Sequence, residues 1–425
     1  MRPSLRTRLA LVALAALATP NATRAQPARS AAIEELAAEL RREGAAAEER
    51  FWASVKEGGA PLVEAADRPG SSIVTFVYRG DAETTAVRLE SNINALAIDG
   101  ITTDFEALGT MERLPETDVW HIAYAVGNDV RIPYGFEVLG PGPQPLTVLD
   151  PHNDAVWEPD VEALRASILE LPGAPPQPWR GRAAEAGDWD ELELGADEGP
   201  RRVWVYKPAA YDPGRPRSYP ALIGLGAFGI GVGMRVDRMV DHLIETGRIP
   251  TTVVALTDLR PESEAARYGP TVRAVIDTVL PYLRANYSVS TNPREIVIAG
   301  TSRRGLVSAI VALERPDAIG NVLSLSGSFY WRPEDEGEFE WLSTRLATSP
   351  LQDVRFYLAA GSLETVVTPR NRGHYMVSTN RHMRDVLRAR GYDLRYVEFN
   401  GVHSELNWQD WLADGLVHFL GRGFR

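Results

Sequence analysis

The stretch IAGTSRRGLVSA, residues 298–309, decides the fold predicted for this chain. The β-branched run that ends at Gly300 is typical of a buried strand, and the apolar residues after Gly305 are typical of a helix. Ser302 stands at the turn between them. A serine at such a strand-to-helix turn, in the pattern G-x-S-x-G, is exposed as a nucleophile. Here Arg304 takes the place of the last glycine, so the turn must accept a long side chain.

Seven short apolar runs after residue 200 predict the strands of one sheet. Helical patterns fall between several of them, which indicates an α/β fold with a largely parallel sheet covered on both faces. Ligands of such sheets bind at the carboxyl ends of the strands. The predicted strands are 201–208, 219–226, 251–258, 294–300, 321–327, 354–361 and 394–401, and the predicted helices are Thr271–Ala285, Gly305–Glu314, Met376–Arg390 and Gln409–Leu420.

The remaining sequence divides by composition. Residues 1–25 combine arginines, an apolar run and small residues, which predicts a secretory signal peptide cleaved after Ala25 and a periplasmic or secreted location. Residues 26–145 hold a leading helix and short β-rich runs typical of an immunoglobulin-like β-sandwich. Residues 146–200 are rich in proline, and we expect an extended linker there. The α/β domain then covers residues 201–425.

Composition excludes several classes of function. The formal net charge of −12 argues against nucleic acid or an anionic membrane as the main partner. Cysteine is absent, which excludes disulfides and thiolate metal ligands. No motif such as H-E-x-x-H occurs, so we predict no metal site and no cofactor. The apolar run at residues 9–18 is too short to span a bilayer, so we expect no membrane insertion after signal cleavage.

His403 is the candidate base for the serine. A serine hydroxyl is a weak nucleophile and needs a base, together with a group that orients the base. In α/β-hydrolases these partners follow in the order serine, acid, histidine. His403 lies in a loop after the last predicted strand, where it can reach a serine at the carboxyl edge of the sheet. The other histidines after Ser302 lie in or beside predicted helices: His374, His382 and His418.

The candidate acid is Glu364. The orienting carboxylate is expected after the preceding strand, and the stretch DVRFYLAAGSLE, residues 353–364, ends in this glutamate. Asp335 and Asp385 are alternatives. Asp258 also follows a predicted strand, but it precedes the serine and therefore has the wrong order in the chain.

Acyl transfer also needs hydrogen-bond donors for the oxyanion. One candidate is the backbone N–H of Arg303, which directly follows the nucleophile. The second is expected in the glycine-rich loop GAFGIGVG, residues 226–233, at Gly226 or Ala227. This loop lacks the G-K-[ST] ending of a phosphate-binding loop, so a phosphate site is a poor interpretation.

Long stretches of the chain resemble enterochelin esterases, members of the esterase D-like branch of the α/β-hydrolases. Residues 298–331 are similar to their elbow region, residues 51–64 to their amino-terminal immunoglobulin-like domain, and residues 380–403 to their carboxyl-terminal part. The resemblance covers about residues 35–420. It implies a Ser/His/acid esterase that hydrolyses the ester backbone of catecholate siderophores, often with ferric iron bound. Carried onto this sequence, the nucleophile, base and acid are Ser302, His403 and Glu364.

The chain departs from the family pattern around this site. Arg304 stands where the family usually has glycine, and Gly226-Ala227 replaces a frequent Asp-Gly pair. Tyr268 replaces an expected acidic residue, and Val402 lies in GVHS where the family has GGHD. Because the three chemical residues persist, we interpret these changes as an altered substrate preference rather than as lost chemistry.

Two hypotheses of different classes follow. The first is an exported serine esterase that acts on a siderophore or another bulky ester, with a feruloyl-type acyl ester as an alternative substrate. Ferric catecholates are anionic, and Arg303, Arg304 and Arg267 are candidate contacts, together with Trp408. Solvated surface arginines are an equally valid interpretation, since only two of the 45 basic residues are lysines. The second hypothesis is a catalytically weak protein that binds a ligand in the same cleft. The oligomeric state is left open, a dimer included.

Overall fold

A computed structural model describes residues 28–421, apart from residues 98–107, 143, 160–164, 181–186, 196–200, 216, 259–266, 336 and 367–373. The predicted signal peptide therefore lies outside the described residues. None of the helices in the described part combines the length and the apolar content needed to cross a bilayer.

Among the described residues, two helices and nine strands form the amino-terminal part. The helices α1 (Ala31–Glu43) and α2 (Ala45–Gly58) are separated at Gly44, whose φ of 60° is left-handed. The strands are β1 (Leu62–Ala65), β2 (Ser71–Arg79), β3 (Ala86–Glu90), β4 (Glu112–Arg113), β5 (Val119–Gly127), β6 (Arg131–Leu139), β7 (Leu146–Val148), β8 (Val156–Trp157) and β9 (Ala166–Glu170), with a 3₁₀ helix at Asn92–Ala97.

These strands form two sheets around one apolar core. The first has the order β1-β2-β5-β4, and the second has the order β3-β6-β9-β8 with β7 beside β6. Phe76 and Tyr124 of the first sheet contribute to the same buried cluster as Tyr134 and Phe136 of the second. This shared core confirms the predicted β-sandwich.

An eight-stranded sheet forms the centre of the α/β part. Its strands are β10 (Asp188–Leu194), β11 (Arg201–Lys207), β12 (Ala221–Leu225), β13 (Val253–Thr257), β14 (Ile296–Thr301), β15 (Asn321–Leu325), β16 (Arg355–Gly361) and β17 (Asp393–Phe399). The order is β10-β11-β13-β12-β14-β15-β16-β17. Strands β12 to β17 are mutually parallel, and β11 runs antiparallel to both of its neighbours.

Helices cover both faces of this sheet, which confirms the predicted α/β architecture. Side chains of β14 alternate: Ile296 and Ile298 enter one buried cluster, and Val297 and Ala299 enter the other. The helices are α3 (Val236–Glu245), α4 (segments Gly269–Arg273, Ala274–Val279 and Leu280–Asn286), α5 (Arg303–Glu314), α6 (Trp341–Thr348), α7 (Met376–Arg390) and α8 (Glu405–Leu420), with a π-helical turn at Ala227–Gly233 and a 3₁₀ turn at Pro293–Glu295.

The interval 146–200 differs from the extended linker that we predicted. Strand β9 pairs with β6 inside the sandwich, and β10 pairs with β11 at the edge of the central sheet. Acidic residues are poor strand formers, so the sequence DWDELEL, residues 188–194, favours a loop. It is an edge strand, where charged side chains can face solvent while Leu192 and Leu194 pack on the core.

The sandwich is joined to α8 by buried polar contacts. The guanidinium of Arg131 donates to Asp410 Oδ2 at 3.0 Å and to Glu170 Oε1 at 2.9 Å. Gln177 Nε2 donates to the carbonyl of Leu406 at 2.8 Å. Helix α8 begins directly after the loop that follows β17, so this junction lies at the carboxyl edge of the central sheet.

Candidate active site

Ser302 occupies a strained turn between β14 and α5. Its φ of 53° and ψ of −122° are rarely adopted by residues other than glycine. The turn is held by the backbone: Ser302 N–H donates to the Leu325 carbonyl at 2.8 Å, and the Ser302 carbonyl accepts from the N–H groups of Gly305 and Ser328 at 3.0 Å. The geometry is the one that exposes a serine nucleophile at the carboxyl edge of a sheet.

The turn needs glycine at residues 300 and 305 but not at 304. A Cβ atom on Gly300 would lie 2.4 Å from the backbone of Arg304, and one on Gly305 would lie 2.6 Å from Ser324 Oγ. The side chain of Arg304 leaves this crowded region and lies against Gly226, where an added Cβ would be 2.5 Å from Arg304 Cδ. The missing side chain at residue 226 therefore creates the space that Arg304 fills.

His403 and Glu364 form a hydrogen-bonded pair. His403 Nδ1 lies 2.7 Å from Glu364 Oε2. The other carboxylate oxygen, Oε1, accepts from Ser326 Oγ at 2.5 Å and from Gly361 N–H at 2.8 Å. Glu364 is only 6% exposed, so these three contacts fix both of its oxygens. The arrangement leaves Nε2 of His403 as the ring nitrogen that can accept a proton.

The side chain of Trp408 supports the His403–Glu364 pair. Its ring packs edge-on against His403, with centroids 4.6 Å apart and an interplanar angle of 84°. Its Nε1 donates to Ser326 Oγ at 2.9 Å, so the chain of hydrogen bonds runs from Trp408 through Ser326 to Glu364. Trp408 is buried and is not among the described residues that line the cavity, so its contact with substrate stays a prediction. Sequence reasoning missed Ser326, which belongs to no motif.

Ser302, Glu364 and His403 line one cavity of about 1110 Å³. The sandwich forms its opposite wall, so the cavity lies between the two parts of the chain. Within the described part of the chain, the hydrogen-bond partner of the Ser302 hydroxyl is Ser328 Oγ, at a distance of 3.3 Å. Wall residues of the sandwich include Leu89, Glu90, Asn92, Pro133, Thr147 and Arg165, and those of the α/β part include Tyr330, Leu363 and Met376.

One carboxyl of the wall is electrostatically unusual. Burial, with a further contribution from the neighbouring Glu137, raises the pKa of Glu90, and Arg88 opposes this shift. The described wall thus includes a carboxyl group that protonates more readily than usual.

The arginines proposed as substrate contacts are dispersed. Arg267 donates to Asp335 Oδ2 at 2.7 Å on the surface, and Arg303 donates to the hydroxyl of Tyr268 at 3.1 Å. Arg304 lies against Gly226, and none of the three belongs to the cavity wall formed by the described residues. The three side chains therefore contact different neighbours, and their role as substrate contacts stays a prediction.

The alternative acids lie elsewhere. Asp335 is engaged by Arg267 and is largely exposed, and Asp385 pairs with Arg384 at 2.7 Å on the surface of α7. Neither belongs to the described wall of the cavity, whereas Glu364 contacts His403 directly.

The backbone N–H groups expected to bind the oxyanion, those of Arg303, Gly226 and Ala227, have different neighbours. Arg303 opens α5, and the first N–H groups of a helix point away from its own carbonyls. Gly226 N–H already donates to the Thr257 carbonyl at 2.7 Å, which argues against Gly226 as a donor. Ala227 N–H meets Asp258 Oδ1 only at 3.4 Å, and Ala227 lines a separate cavity with Phe228. The assignment to Ala227 stays a prediction.

No group of three or more His, Cys, Asp or Glu side chains suited to a metal ion occurs among the described residues.

Comparison with protein families identifies the family of this chain. The esterase family model matches residues 196–419, more than half of the 425 residues. A second model, described as the N-terminal domain of enterochelin esterase, matches residues 73–180. The chain belongs to the enterochelin esterase family.

Characterised members of the enterochelin esterase family are similar over most of their length. An iron(III) enterobactin esterase from Dickeya dadantii is 28% identical over 423 residues, which cover 88% of this chain and 93% of the relative. An iron(III) salmochelin esterase from Escherichia coli is 25% identical, with coverages of 86% and 92%. The crystal structure of a ferric enterobactin esterase from Salmonella typhimurium superposes with a TM-score of 0.69 at 25% identity, covering 87% of this chain and 98% of that one.

Within the enterochelin esterase family this chain is therefore divergent. Two of its departures from the family pattern, at residues 226 and 304, are in direct contact with each other. They have a common physical explanation, because a side chain at residue 226 would occupy the space of the Arg304 side chain.

Proposed function

We propose that this ester hydrolase cleaves the ester backbone of a catecholate siderophore of the enterobactin type through an acyl-enzyme on Ser302. His403 takes the proton of the Ser302 hydroxyl during attack and returns it to the leaving alcohol. Glu364 holds the imidazole in the tautomer that keeps Nε2 available and stabilises the imidazolium that forms. Water then repeats the sequence on the acyl-enzyme and releases the acid.

The observation that carries this proposal is the Glu364–His403 hydrogen bond of 2.7 Å beside a cavity that also contains Ser302. The Ser302 hydroxyl lies 3.3 Å from Ser328 Oγ, and the hydrogen bond between a nucleophile and its base often tightens only when substrate binds. In the proposed reaction the Ser302 hydroxyl turns from Ser328 towards the imidazole of His403.

The names of the relatives and the size of the cavity support the proposed substrate class. Relatives that are 25–28% identical are named enterobactin and salmochelin esterases. The cavity volume of about 1110 Å³ is slightly larger than that of ordinary ligand pockets, so it suits a bulky ester. The sandwich wall supplies apolar and amide groups against which aromatic rings of such a substrate can pack.

The direct test compares hydrolysis of enterobactin, with and without ferric iron, with hydrolysis of a feruloyl ester and of 4-nitrophenyl butyrate. We expect enterobactin to have the highest kcat/KM, and Ser302→Ala to abolish all activities. A preference for the feruloyl ester would refute the siderophore assignment.

A fluorophosphonate probe separates the enzyme from a protein that only binds its ligand. Covalent labelling of the wild type that disappears in Ser302→Ala supports the nucleophile. A folded wild type that binds enterobactin without labelling or hydrolysis would support the binding protein instead.

We further propose that residues 1–25 direct export and are removed. Expression of the full chain in a Gram-negative bacterium, followed by fractionation and amino-terminal sequencing, tests this. We expect a periplasmic or secreted product that begins after Ala25, and a cytoplasmic product with an intact amino terminus would contradict it.

A further inference from the structure

The residues that precede the acid and the base in the chain both pack against the core of the sandwich. Val402, next to His403, is 1% exposed and is part of the buried cluster that includes Phe76. Leu363, next to Glu364, packs against the same cluster. Two loops of the α/β part thus place an apolar side chain on the other part of the molecule, one residue before each proton-handling group.

Hydrogen bonds between asparagine side chains and the backbone strengthen this attachment. Val402 N–H donates to Asn407 Oδ1 at 3.0 Å, and Asn407 Nδ2 donates to the carbonyl of Arg131 in β6 at 2.6 Å. The carbonyl of His403 accepts from Asn92 Nδ2 of the sandwich at 3.4 Å.

The two loops are also bonded to each other. Leu363 N–H donates to the carbonyl of Gly401 at 3.1 Å. Loss of packing at either loop is therefore expected to loosen the Glu364–His403 pair and to change its position relative to Ser302, which is anchored separately in the elbow.

We infer that the sandwich is a positioning element of the hydrolytic site, acting through Val402 and Leu363. Burial of these side chains fixes the loops by the hydrophobic effect, and the fixed loops hold His403 and Glu364 at a set distance from the elbow. The inference rests on the proposed function, since it assigns a role to groups that act on His403 and Glu364.

The test is Val402→Ala, with Val77→Ala as the matched control. Val77 is equally buried in the sandwich, but it belongs to the separate cluster under α1 and α2. Both variants delete the same atoms from a buried valine side chain. We expect kcat for 4-nitrophenyl butyrate to fall about tenfold in Val402→Ala with little change in KM, because displacement of catalytic groups by less than 1 Å already has such effects. Val77→Ala should retain the wild-type kcat.

A second variant and a second measurement keep the inference testable. Leu363→Ala should lower kcat in the same way from the acid side, which covers the case in which Val402→Ala does not fold. In protein labelled with nitrogen-15 histidine, the Nδ1 proton of His403 should give a downfield resonance that is absent from His403→Gln. We expect it in the wild type and in Val77→Ala, and we expect it to broaden or disappear in Val402→Ala.

The outcomes are distinguishable. If the wild type neither hydrolyses esters nor reacts with the fluorophosphonate, the proposed function fails, and the resonance alone decides the positioning role. If no resonance is seen in the wild type, the kcat values decide it. A Val402→Ala protein with wild-type kcat and resonance would overturn the inference, and so would an equal loss of kcat in Val77→Ala.

Discussion

The side chain of Arg304 occupies the space next to Gly226, where an added Cβ would lie 2.5 Å from Arg304 Cδ and 2.6 Å from Nε. Gly226 leads into the loop that carries a proposed oxyanion donor, and Arg304 is in the first turn of the elbow helix. The identity of each residue therefore restricts the other, and this contact between the loop and the elbow can be measured.

Gly226→Ala is expected to destabilise the protein, and Arg304→Gly should partly relieve the loss. The alanine Cβ would collide with the Arg304 side chain, while the φ of 110° at residue 226 leaves a strain that no change at 304 removes. Urea unfolding of both single variants and of the double variant gives the coupling, which we expect to be about 1 kcal/mol or more. Strict additivity would show that the contact has no energetic consequence.

Ser326→Ala should lower kcat about three- to tenfold and leave KM nearly unchanged. The change removes a donor to Glu364 Oε1 and leaves Trp408 Nε1 buried without its acceptor, so the free energy of unfolding should also fall by about 1–3 kcal/mol. Ser343→Ala is the control, because Ser343 is equally buried in α6 and contacts Met383 instead. A kcat loss of the same size in Ser343→Ala would show that the effect of Ser326→Ala comes only from lost stability.

Glu364→Gln should reduce kcat by at least about a hundredfold, since an amide of the same shape neither stabilises the imidazolium nor favours the correct tautomer. Steady-state kinetics with 4-nitrophenyl butyrate measures the loss. Glu340→Gln provides the comparison: Glu340 also contacts histidines, with His374 Nδ1 at 3.3 Å, but lies outside the described wall of the cavity. Its kcat should remain at the wild-type value, and a small effect of Glu364→Gln would contradict its role as the orienting acid.

Stability should depend on pH through Asp410 at the junction with the sandwich. Burial raises the pKa of Asp410 to about 7, although Arg131, Gln177 and Arg180 act in the opposite direction. The folded state therefore binds a proton that the unfolded state has released between about pH 4 and pH 7. This contribution to stability is fully present at low pH and is lost as the pH rises through 7.

Asp410→Asn cannot titrate, so it tests this prediction directly. We expect the wild type to lose more stability than the variant between pH 5 and pH 8, by a few kcal/mol at most, in urea unfolding series. Glu170 does not confuse the comparison. Burial raises the pKa of Glu170, but hydrogen bonds from Arg131 and Arg180 outweigh this effect and lower the pKa below its usual value. Glu170 therefore stays ionised throughout this window. Parallel pH profiles for the two proteins would show that Asp410 is ionised in the folded state.

The fold and the central residues of the candidate site were predictable because they depend on local pattern and chain order. The elbow follows from a strand, a serine and a helix that are adjacent in sequence. Glu364 and His403 follow from the loops after two consecutive strands, which parallel pairing brings to one edge. Both inferences require no knowledge of distant contacts.

Contacts between distant segments were beyond prediction. Ser326 lies between Trp408 and Glu364 only because three loops converge, and no spacing in the sequence indicates this. Val402 was noted only as a departure from a glycine pattern, yet it reaches the sandwich core. The arginines were grouped because they are close in sequence or belong to the same motif, but each contacts a different neighbour in the structure.

The division of the cavity between two parts of the chain has an evolutionary consequence. A fragment that began at residue 201 would retain Ser302, Glu364 and His403 but would lose most of the described residues that line the cavity. Mutations in the sandwich loops can therefore change which esters the cavity accepts without changing the residues that transfer protons. New substrate specificities can arise in the sandwich while the α/β part stays the same.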